Sequence, residues 1–319
     1  MDNIISSKFH TDVLDKCGFH IEGSLGKGSF GFIKKLRCVK TGCHLAVKIL
    51  HKFDKTNPKN EIDRFIIREL AVVRILSHPN IIKFIKTIET SKHLYIIMEL
   101  AQHGDLLEMI KRSKTIDEER ACRWFHHLVD GIDYCHNKGV AHRDLKCENL
   151  LICKYFVLKI TDFGFARHEL PKPEIIKHKE IFRCSTFCGS FAYASIEILR
   201  KKPYQAFLSD IWSMGIILYV MVCGRFPYHT SDPRKYREKI KDGVKFPENS
   251  TISSCCRDLI TKMIKPENKR IYIPEIRADN WYQREYDQKW DEEVQKARRI
   301  SYYDKIQMQK SEDKCENSK

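Results

Sequence analysis

The chain has 319 residues, of which 42% are hydrophobic, so it can build one folded unit of ordinary size with short extensions. Its 57 basic and 42 acidic residues give a net charge of +15, which indicates either an anionic partner or a solvated lysine-rich surface. The solvated surface is favoured, and no nucleic-acid partner is expected, because no basic stripe with interleaved aromatic residues stands out.

The cysteines and the apolar segments bear on the compartment. The thirteen cysteines are scattered and show no CxxC pair typical of a zinc site. The first residues do not have the basic and apolar segments of a secretory leader, so we expect reduced thiols and a cytoplasmic protein. The longest apolar run, Ile211 to Cys223, is short for a transmembrane helix and predicts a buried helix, so no membrane partner is expected.

Strands are predicted in the first third of the chain. Alternating apolar residues indicate strands at Phe19 to Glu22 and at Phe32 to Cys38, and the glycines between them predict a hairpin with a glycine-rich turn. His44 to Leu50 predicts a third strand. Ile81 to Lys86 and His93 to Leu100 predict two more.

Helices dominate the prediction for the rest of the chain. Apolar residues recur at helical spacing between Phe65 and Leu76, and Ser77-His78-Pro79 ends that helix. Thr115 to Asn137 and Ser209 to Cys223 show the same period. A strand-rich first third followed by a helical remainder predicts an α+β fold with a small lobe and a large lobe. The cleft between the lobes is the expected ligand site.

A glycine-rich segment lies between the first two predicted strands. It comprises Gly26, Lys27, Gly28, Ser29, Phe30 and Gly31, with Ile33 following in the strand. Residues without a Cβ let backbone amides approach an anion closely. Dinucleotide sites share this glycine spacing, but in them a helix follows, whereas a strand follows here. The segment therefore predicts a loop that covers nucleotide phosphates.

A lysine and a glutamate are predicted to pair beside that loop. Leu45-Ala46-Val47-Lys48 places a lysine on the third strand, where it would face the nucleotide. A buried lysine needs an anionic partner, and Glu69 falls within the apolar period of the following helix. Glu61, the competing candidate, lies in a polar insert before that helix. A solvated Glu69 on the helix surface is the remaining alternative.

The end of the last predicted strand is the expected hinge between the lobes. In Met98-Glu99-Leu100-Ala101, the main chain of Glu99 and Ala101 would bind adenine. Met98 would line the back of the pocket, pack in the core, or do both.

Two motifs follow in order, and together they predict phosphoryl transfer. They are His142-Arg143-Asp144-Leu145-Lys146-Cys147-Glu148-Asn149 and Thr161-Asp162-Phe163-Gly164. Asp144 is placed to accept or orient the proton of a substrate hydroxyl, and Lys146 can neutralise the moving phosphoryl group. Asn149 and Asp162 supply the hard oxygen ligands that Mg²⁺ prefers.

With these motifs, the chain resembles the eukaryotic protein kinases over residues 19–282. Within them it is similar to the calmodulin-dependent-kinase group, and above all to the testis-specific serine kinases. The closer resemblance rests on Met98-Glu99-Leu100-Ala101, on Cys147 where most kinases have proline, and on Thr186-Phe187-Cys188-Gly189-Ser190. It implies an N-lobe of residues 19–98 and a C-lobe of residues 102–282. Residues 1–18 would precede the domain as a leader, and residues 283–319 would follow as a charged tail.

The resemblance also implies an activity and several residue roles. It implies a serine/threonine kinase that uses ATP and Mg²⁺, acts on protein substrates and belongs in male germ cells. Ala46 and Leu151 would sandwich adenine. Ser190 would contact Asp144 and Lys146, and Asp210 would support the catalytic loop from below.

Thr186 matches the activation-loop phosphosite of the family. Its phosphate would bring a charge of about −2, which Arg143 could bind through paired hydrogen bonds, thereby ordering the segment. An upstream kinase or autophosphorylation would add that phosphate.

Asp105 lies where basophilic members of the family carry an acidic residue. It would face an arginine three residues before the target serine. The alternative is a hydrogen bond from Asp105 to the ribose.

One segment departs from the family pattern. Ser195-Ile196-Glu197 stands where the family has Ala-Pro-Glu, and Phe191 replaces a common proline. Glu197 and its expected partner Arg270 are both present, so their buried ion pair should remain. Loss of a proline costs about 0.4–1 kcal/mol through the unfolded chain and removes no reacting group. The departure motivates an alternative function, a non-catalytic ATP-binding pseudokinase scaffold.

Overall fold

The computed structural model describes residues 10–28, 31–52, 69–168, 183–186, 188–228, 232–248 and 250–284. Ser29 and Phe30 of the predicted phosphate loop, the polar insert that contains Glu61, and residues 285–319 of the predicted tail lie outside the described residues.

The strands form one large antiparallel sheet and one small one. The large sheet has five strands in the order β1-β2-β3-β5-β4, and the small sheet pairs β6 with β7. The strands are β1 (Phe19–Gly28), β2 (Gly31–Cys38), β3 (His44–His51), β4 (Phe84–Glu89), β5 (His93–Glu99), β6 (Leu150–Ile152) and β7 (Leu158–Ile160). The predicted hairpin, the third strand and the fifth strand are confirmed.

Helices make up a large part of the remaining described residues. They are α1 (10–16), α2 (69–75), α3 (Leu106–Ser113), α4 (Glu118–Asn137), α5 (Ile196–Leu199), α6 (Ala206–Cys223), α7 (Pro233–Lys241), α8 (Ser254–Met263) and α9 (Ile273–Arg277). A five-stranded antiparallel sheet followed by a helical region confirms the predicted α+β fold.

The predicted start of β4 at Ile81 is wrong, because that residue joins the lobes instead. Ile81 forms an isolated parallel bridge with Ile160 of β7, and the Ile82 amide donates to the Ile160 carbonyl at 2.9 Å. The strand therefore begins at Phe84. This short bridge connects the segment before β4 to the strand that leads into Asp162.

The two faces of the large sheet carry different partners. Side chains alternate along β3, so Val47 packs with Leu14 of α1, whereas Leu50 packs with Leu70 of α2. Lys48 lies on the α2 side by the same alternation. Leu14 is fully buried, so α1, for which the sequence predicted no structure, completes the core on the far side of the sheet.

Helix α6 is the centre of the large lobe. Every one of its residues except Cys223 is buried, and it packs against α4 and α8. At Gly215 an added Cβ would lie 2.9 Å from side-chain atoms of Met263 and Ile264, so glycine lets α8 approach closely. The predicted buried helix is confirmed, but it starts at Ala206, five residues before the apolar run. With 18 residues and a mean hydropathy of 1.8 it is long and apolar enough to cross a membrane, by length and composition only. Its burial is that of a core helix.

The segment that departs from the family pattern is also buried. Ser195 and Ile196 are 0% and 2% exposed, and the Ser209 hydroxyl donates to the Ser195 hydroxyl at 3.5 Å. The polar hydroxyl thus has a partner, and isoleucine fills core volume next to α6. The substitutions are accommodated by packing.

Glu197 and Arg270 form the predicted buried ion pair. The Arg270 Nη2 donates to Glu197 Oε2 at 2.9 Å, and its other nitrogens donate to the carbonyls of Leu208 at 2.8 Å and Lys265 at 2.9 Å. Burial disfavours the charge on Glu197, but Arg270 outweighs this and holds the pKa of Glu197 below its usual value. All three guanidinium nitrogens of Arg270 thus donate to an oxygen.

Arg270→Met should lower the free energy of unfolding by about 3–5 kcal/mol, because it leaves the Glu197 carboxylate buried without its cation. Arg277 is the matched control, since it also forms ion pairs, with Asp130 and Asp133, but its side chain is 37% exposed. Arg277→Met should cost about 1 kcal/mol or less. Urea unfolding of both variants measures the difference, and equal losses would contradict the assigned role of Arg270.

Candidate active site

The predicted lysine and glutamate meet on the inner face of the sheet. Lys48 Nζ donates to Glu69 Oε1 at 2.8 Å and Oε2 at 3.0 Å, and to Asp162 Oδ1 at 3.1 Å. The side chains of Lys48 and Glu69 are only 5% and 7% exposed. Burial opposes the charge on Lys48, but Glu69 and Asp162 raise its pKa above the usual value. The lysine is therefore a fixed cation, and the solvated alternative for Glu69 is wrong.

Asp162 is kept ionised beside this lysine. Burial alone would raise the pKa of the Asp162 carboxyl, but the charge of Lys48 and its hydrogen bond hold the pKa below the usual value. Asp162 has a φ of 63°, a left-handed conformation that is uncommon for a residue with a side chain. The next residue, Phe163, is buried, and its ring packs on the His142 ring with 4.9 Å between the ring centroids.

A small pocket of about 20 Å³ lies between α2, β5 and the Asp162 segment. Glu69, Met98, Asp162 and Phe163 are among the residues that line it. A cavity of this size has room for about one water molecule, so α2, β5 and the Asp162 segment are close-packed. Met98 is thus part of the core at the back of the cleft.

Asp144 is the centre of a hydrogen-bonded cluster. Its Oδ2 accepts from Lys146 Nζ at 2.8 Å, and its Oδ1 accepts from the Ser190 amide at 2.9 Å and hydroxyl at 3.0 Å. Lys146 Nζ also donates to the Ser190 hydroxyl at 3.1 Å. The structure therefore brings Asp144 and Lys146 together with Ser190, which lies 46 positions after Asp144 in the sequence.

Asn149 is held next to both Asp144 and Asp162. Its Nδ2 donates to the Asp144 carbonyl at 2.9 Å, and its own carbonyl accepts from the Thr161 amide at 3.0 Å. Because Nδ2 is engaged, Oδ1 is the atom that could bind a cation. An ionised carboxylate and an amide oxygen fit Mg²⁺, which binds few protein ligands and keeps the others for water and phosphate.

Asp210 of α6 supports the loop that carries Asp144. Its Oδ2 accepts from the His142 amide at 2.9 Å and from His136 Nε2 at 2.9 Å, and its Oδ1 accepts from the Arg143 amide at 2.8 Å. Arg143 has a φ of 67°. The hydrogen bonds from the His142 and Arg143 amides to Asp210 stabilise this unusual backbone conformation.

The Arg143 side chain reaches the segment that carries Thr186. Its Nη2 donates to the Thr186 carbonyl at 2.8 Å, and its Nε donates to the Tyr204 hydroxyl at 3.1 Å. Tyr204 in turn donates to the same carbonyl at 3.1 Å. The side chain of Thr186 is exposed, with a buried guanidinium next to its main chain.

Two glycines allow close approach of backbones around the site. A Cβ on Gly31 would lie 2.0 Å from the Ile49 carbonyl oxygen of β3. A Cβ on Gly189, which has a φ of 96°, would lie 2.6 Å from the Arg143 carbonyl oxygen. Gly31 thus lets the start of β2 lie on β3, and Gly189 lets the segment before Ser190 lie on the Asp144 loop.

The predicted adenine residues lie at the edge of the cleft. Ala46 is opposite Met98 in the β3–β5 ladder, and Leu151 of β6 bridges to Asp105. The Glu99 side chain binds Lys159 Nζ at 2.7 and 2.8 Å, so a contact between Glu99 and a nucleotide would use its main chain.

Asp105 serves as the N-cap of α3. Its Oδ1 accepts from the Glu108 amide at 2.8 Å, which satisfies one of the free amides at the helix start. This local contact fixes the side chain near β6, and it leaves both predicted roles, arginine recognition and ribose binding, open.

The sequence analysis missed the partners that fix these residues. Lys159 pairs with Glu99, Tyr204 pairs with Arg143, and His136 pairs with Asp210. Each pair is formed across at least 60 residues, and no local period marks its members. The neighbours of Tyr204 and His136 along the chain are largely polar, so the local sequence carries no signal for either residue.

Comparison with known proteins agrees with this geometry. The protein kinase domain model matches residues 19–282. Testis-specific serine/threonine-protein kinase 4 of Homo sapiens is 39% identical over 284 residues, which cover 86% of this chain and 85% of that protein. Testis-specific serine/threonine-protein kinase 2 of Mus musculus is 41% identical over 274 residues, which cover 85% of this chain and 75% of that protein.

A kinase that is not named as testis-specific is also similar. Serine/threonine-protein kinase SIK1 of Rattus norvegicus is 35% identical over 270 residues, which cover 84% of this chain and 33% of that protein. The matched family and these relatives together show that the chain belongs to the protein kinase family and is a protein serine/threonine kinase.

Proposed function

We propose that the chain is a catalytically active kinase that transfers the γ-phosphate of ATP to serine and threonine hydroxyls of proteins. The observation that carries the proposal is the contact of Lys48 with both Glu69 and Asp162, because kinases need this lysine–glutamate pair and the metal-binding aspartate in place together. Residues 19–282 would be the catalytic unit. The name of the similar kinases supports a setting in male germ cells, and we propose a cytoplasmic location.

The proposed roles follow from the contacts of each residue. Asp144 would accept the hydrogen bond of the substrate hydroxyl and orient its oxygen toward the phosphoryl group. Lys146, which already contacts Asp144, would stabilise the negative charge on the phosphoryl oxygens. Lys48 would bind the nucleotide phosphates from the other side. Positioning and charge stabilisation of this kind supply most of the rate enhancement in phosphoryl transfer.

The ATP and Mg²⁺ sites are part of the same proposal. Asn149 and Asp162 would hold Mg²⁺, which supplies positive charge to the phosphates when bound. Ala46 and Leu151 would contact the two faces of adenine, and the main chain of Glu99 and Ala101 would contact its edge. The glycine segment from Gly26 to Gly31 would cover the phosphates.

The alternative is a non-catalytic ATP-binding scaffold. It was motivated by Ser195 and Ile196, both of which are buried and accommodated in the core. Packing therefore explains the altered residues without a loss of catalytic groups.

Asp162→Ala should lower turnover by at least about 10²-fold, because it removes a metal ligand and the second carboxylate on Lys48. The control is Asp258→Ala, which removes a surface carboxylate that is 66% exposed, and turnover should be unchanged. Phosphate transfer from ATP–Mg to a basic protein measures the effect. If the wild type transfers no more phosphate than Asp162→Ala, the chain is a scaffold.

Phosphorylation of Thr186 should raise activity, because its phosphate could bind the Arg143 guanidinium that now holds the Thr186 carbonyl. Thr186→Ala should lower turnover on the order of tenfold, the effect of one or two charge-assisted hydrogen bonds. The neighbouring Ser185, which is also exposed, gives the matched control Ser185→Ala, with no expected loss.

Intact-mass measurement and peptide mapping of the wild type and Asp162→Ala show whether the enzyme adds this phosphate itself. Phosphate on Thr186 in both proteins would indicate an upstream kinase instead. Equal activity of Thr186→Ala and Ser185→Ala would contradict the regulatory role of Thr186.

Asp105 should give a preference for arginine three residues before the phosphorylated serine. Asp105→Asn keeps an oxygen that can cap α3 and removes only the charge. The wild type should prefer the arginine peptide by about three- to tenfold in kcat/KM, as for a partly shielded ion pair, and Asp105→Asn should lose this preference. Glu108→Gln on the same helix is the control. A preference that survives in Asp105→Asn would refute the assignment.

A further inference from the structure

A basic groove lies between α5 and α7, outside the residues assigned to the active site. It encloses about 340 Å³, and its lining consists of Arg200, Arg234, Arg237, Glu238 and Lys241. Arg200 caps the end of α5, and the other four residues belong to α7. Four cationic side chains with one carboxylate therefore converge on one concave surface, which we call the α5–α7 groove.

The positive charges of the α5–α7 groove exceed its one negative charge, that of Glu238. Among the residues that the structure describes, none of its four cations forms an ion pair. Arg237 Nη1 donates to the Leu199 carbonyl at 3.3 Å, which fixes that side chain against α5. Arg234, Arg237 and Lys241 are spaced three and four residues apart, so they share one face of α7 and repel one another.

Helix stability does not explain this arrangement. Arg234 lies in the first turn of α7, directly after Pro233. The first turn itself contains no acidic residue, and the carboxylate of the N-cap residue Asp232 accepts from the Arg234 amide at 2.8 Å. A cation at a helix N-terminus opposes the helix dipole, which favours negative charge there. An anion in the α5–α7 groove would relieve both this opposition and the repulsion along the face.

The groove is joined to the segment that would receive a substrate. The Tyr236 hydroxyl of α7 donates to the Ala192 carbonyl at 2.8 Å, and the Tyr236 ring packs on Phe191 at 4.9 Å. The residue before Phe191 is Ser190, which hydrogen-bonds Asp144. The helix that carries most of the groove therefore contacts the segment that follows Ser190.

We propose that the α5–α7 groove binds an acidic segment of the protein substrate at a distance from the phosphorylated residue. Carboxylates match arginine side chains through paired, charge-assisted hydrogen bonds, which makes an Asp- and Glu-rich segment the complementary occupant. The inference rests on the proposed kinase function, and it adds a docking element that raises the local concentration of the serine at the site.

Binding of a fluorescein-labelled hexaglutamate peptide to the full chain tests the groove without catalysis. Arg234→Glu with Lys241→Glu should weaken binding on the order of tenfold at physiological salt. Lys235→Glu with Lys239→Glu is the matched control, because it makes the same change in net charge on the same helix outside the groove lining, and it should weaken binding less than about twofold.

Phosphorylation of two peptides tests the coupling to the active site. One is a short serine peptide, and the other carries the same sequence joined by a flexible spacer to the hexaglutamate segment. In the wild type, the hexaglutamate peptide should have the lower KM. In the groove variant, its KM should rise on the order of tenfold relative to that of the short peptide, and the size of this rise should depend on spacer length. The control variant should keep the wild-type ratio.

Several outcomes would overturn the proposal. Equal loss of hexaglutamate binding in both variants would mean that only bulk charge acts. Undetectable binding to the wild type would mean that the groove does not bind an acidic segment. Tighter binding of a single-stranded RNA than of hexaglutamate would mean that the groove suits a nucleic acid instead. Failure to phosphorylate either peptide would count against the proposed kinase activity, whereas the binding measurement would still report on the groove.

Discussion

One buried carboxylate fixes the geometry on which the site depends. Asp210 of α6 accepts hydrogen bonds from the main-chain amides of His142 and Arg143 and from the His136 ring. A left-handed residue other than glycine costs roughly 1–2 kcal/mol, and the bond to Asp210 offsets this cost at Arg143. Because α6 is the core of the large lobe, the loop that presents Asp144 is positioned by the packing of that whole lobe.

The site therefore has two supports of different kinds. The large lobe holds Asp144 through Asp210, whereas the small lobe holds Lys48 through Glu69. Asp162 connects the two, since it follows β7 of the large lobe and binds Lys48 of the small one. The Lys48–Asp162 ion pair thus forms only when the two lobes are correctly placed relative to each other. Its low solvent exposure makes the electrostatic attraction stronger than at the surface.

The sequence predicted features that depend on local pattern. Alternation located β3 and the inner-facing Lys48, and helical spacing selected Glu69 over Glu61. The sequence did not predict that Lys159 would bind Glu99 or that α1 would cover the sheet, because such contacts depend on how distant elements pack. The burial of Ser195 and Ile196 was also hidden, since motif comparison shows that residues differ and not whether the core accepts them.

Net charge gave least information, because function depends on where charge is placed. A total of +15 fits a solvated surface equally well. The cations of the α5–α7 groove, however, converge without an ion-pair partner among the described residues, and Asp105 caps α3 on another part of the large lobe. If Asp105 binds a basic residue near the serine and the groove binds acidic residues farther along, the two sites have opposite signs. A peptide with that charge order is attracted at both, whereas the reversed order is repelled at both. Opposed charges would thus select the direction in which a substrate lies as well as its composition.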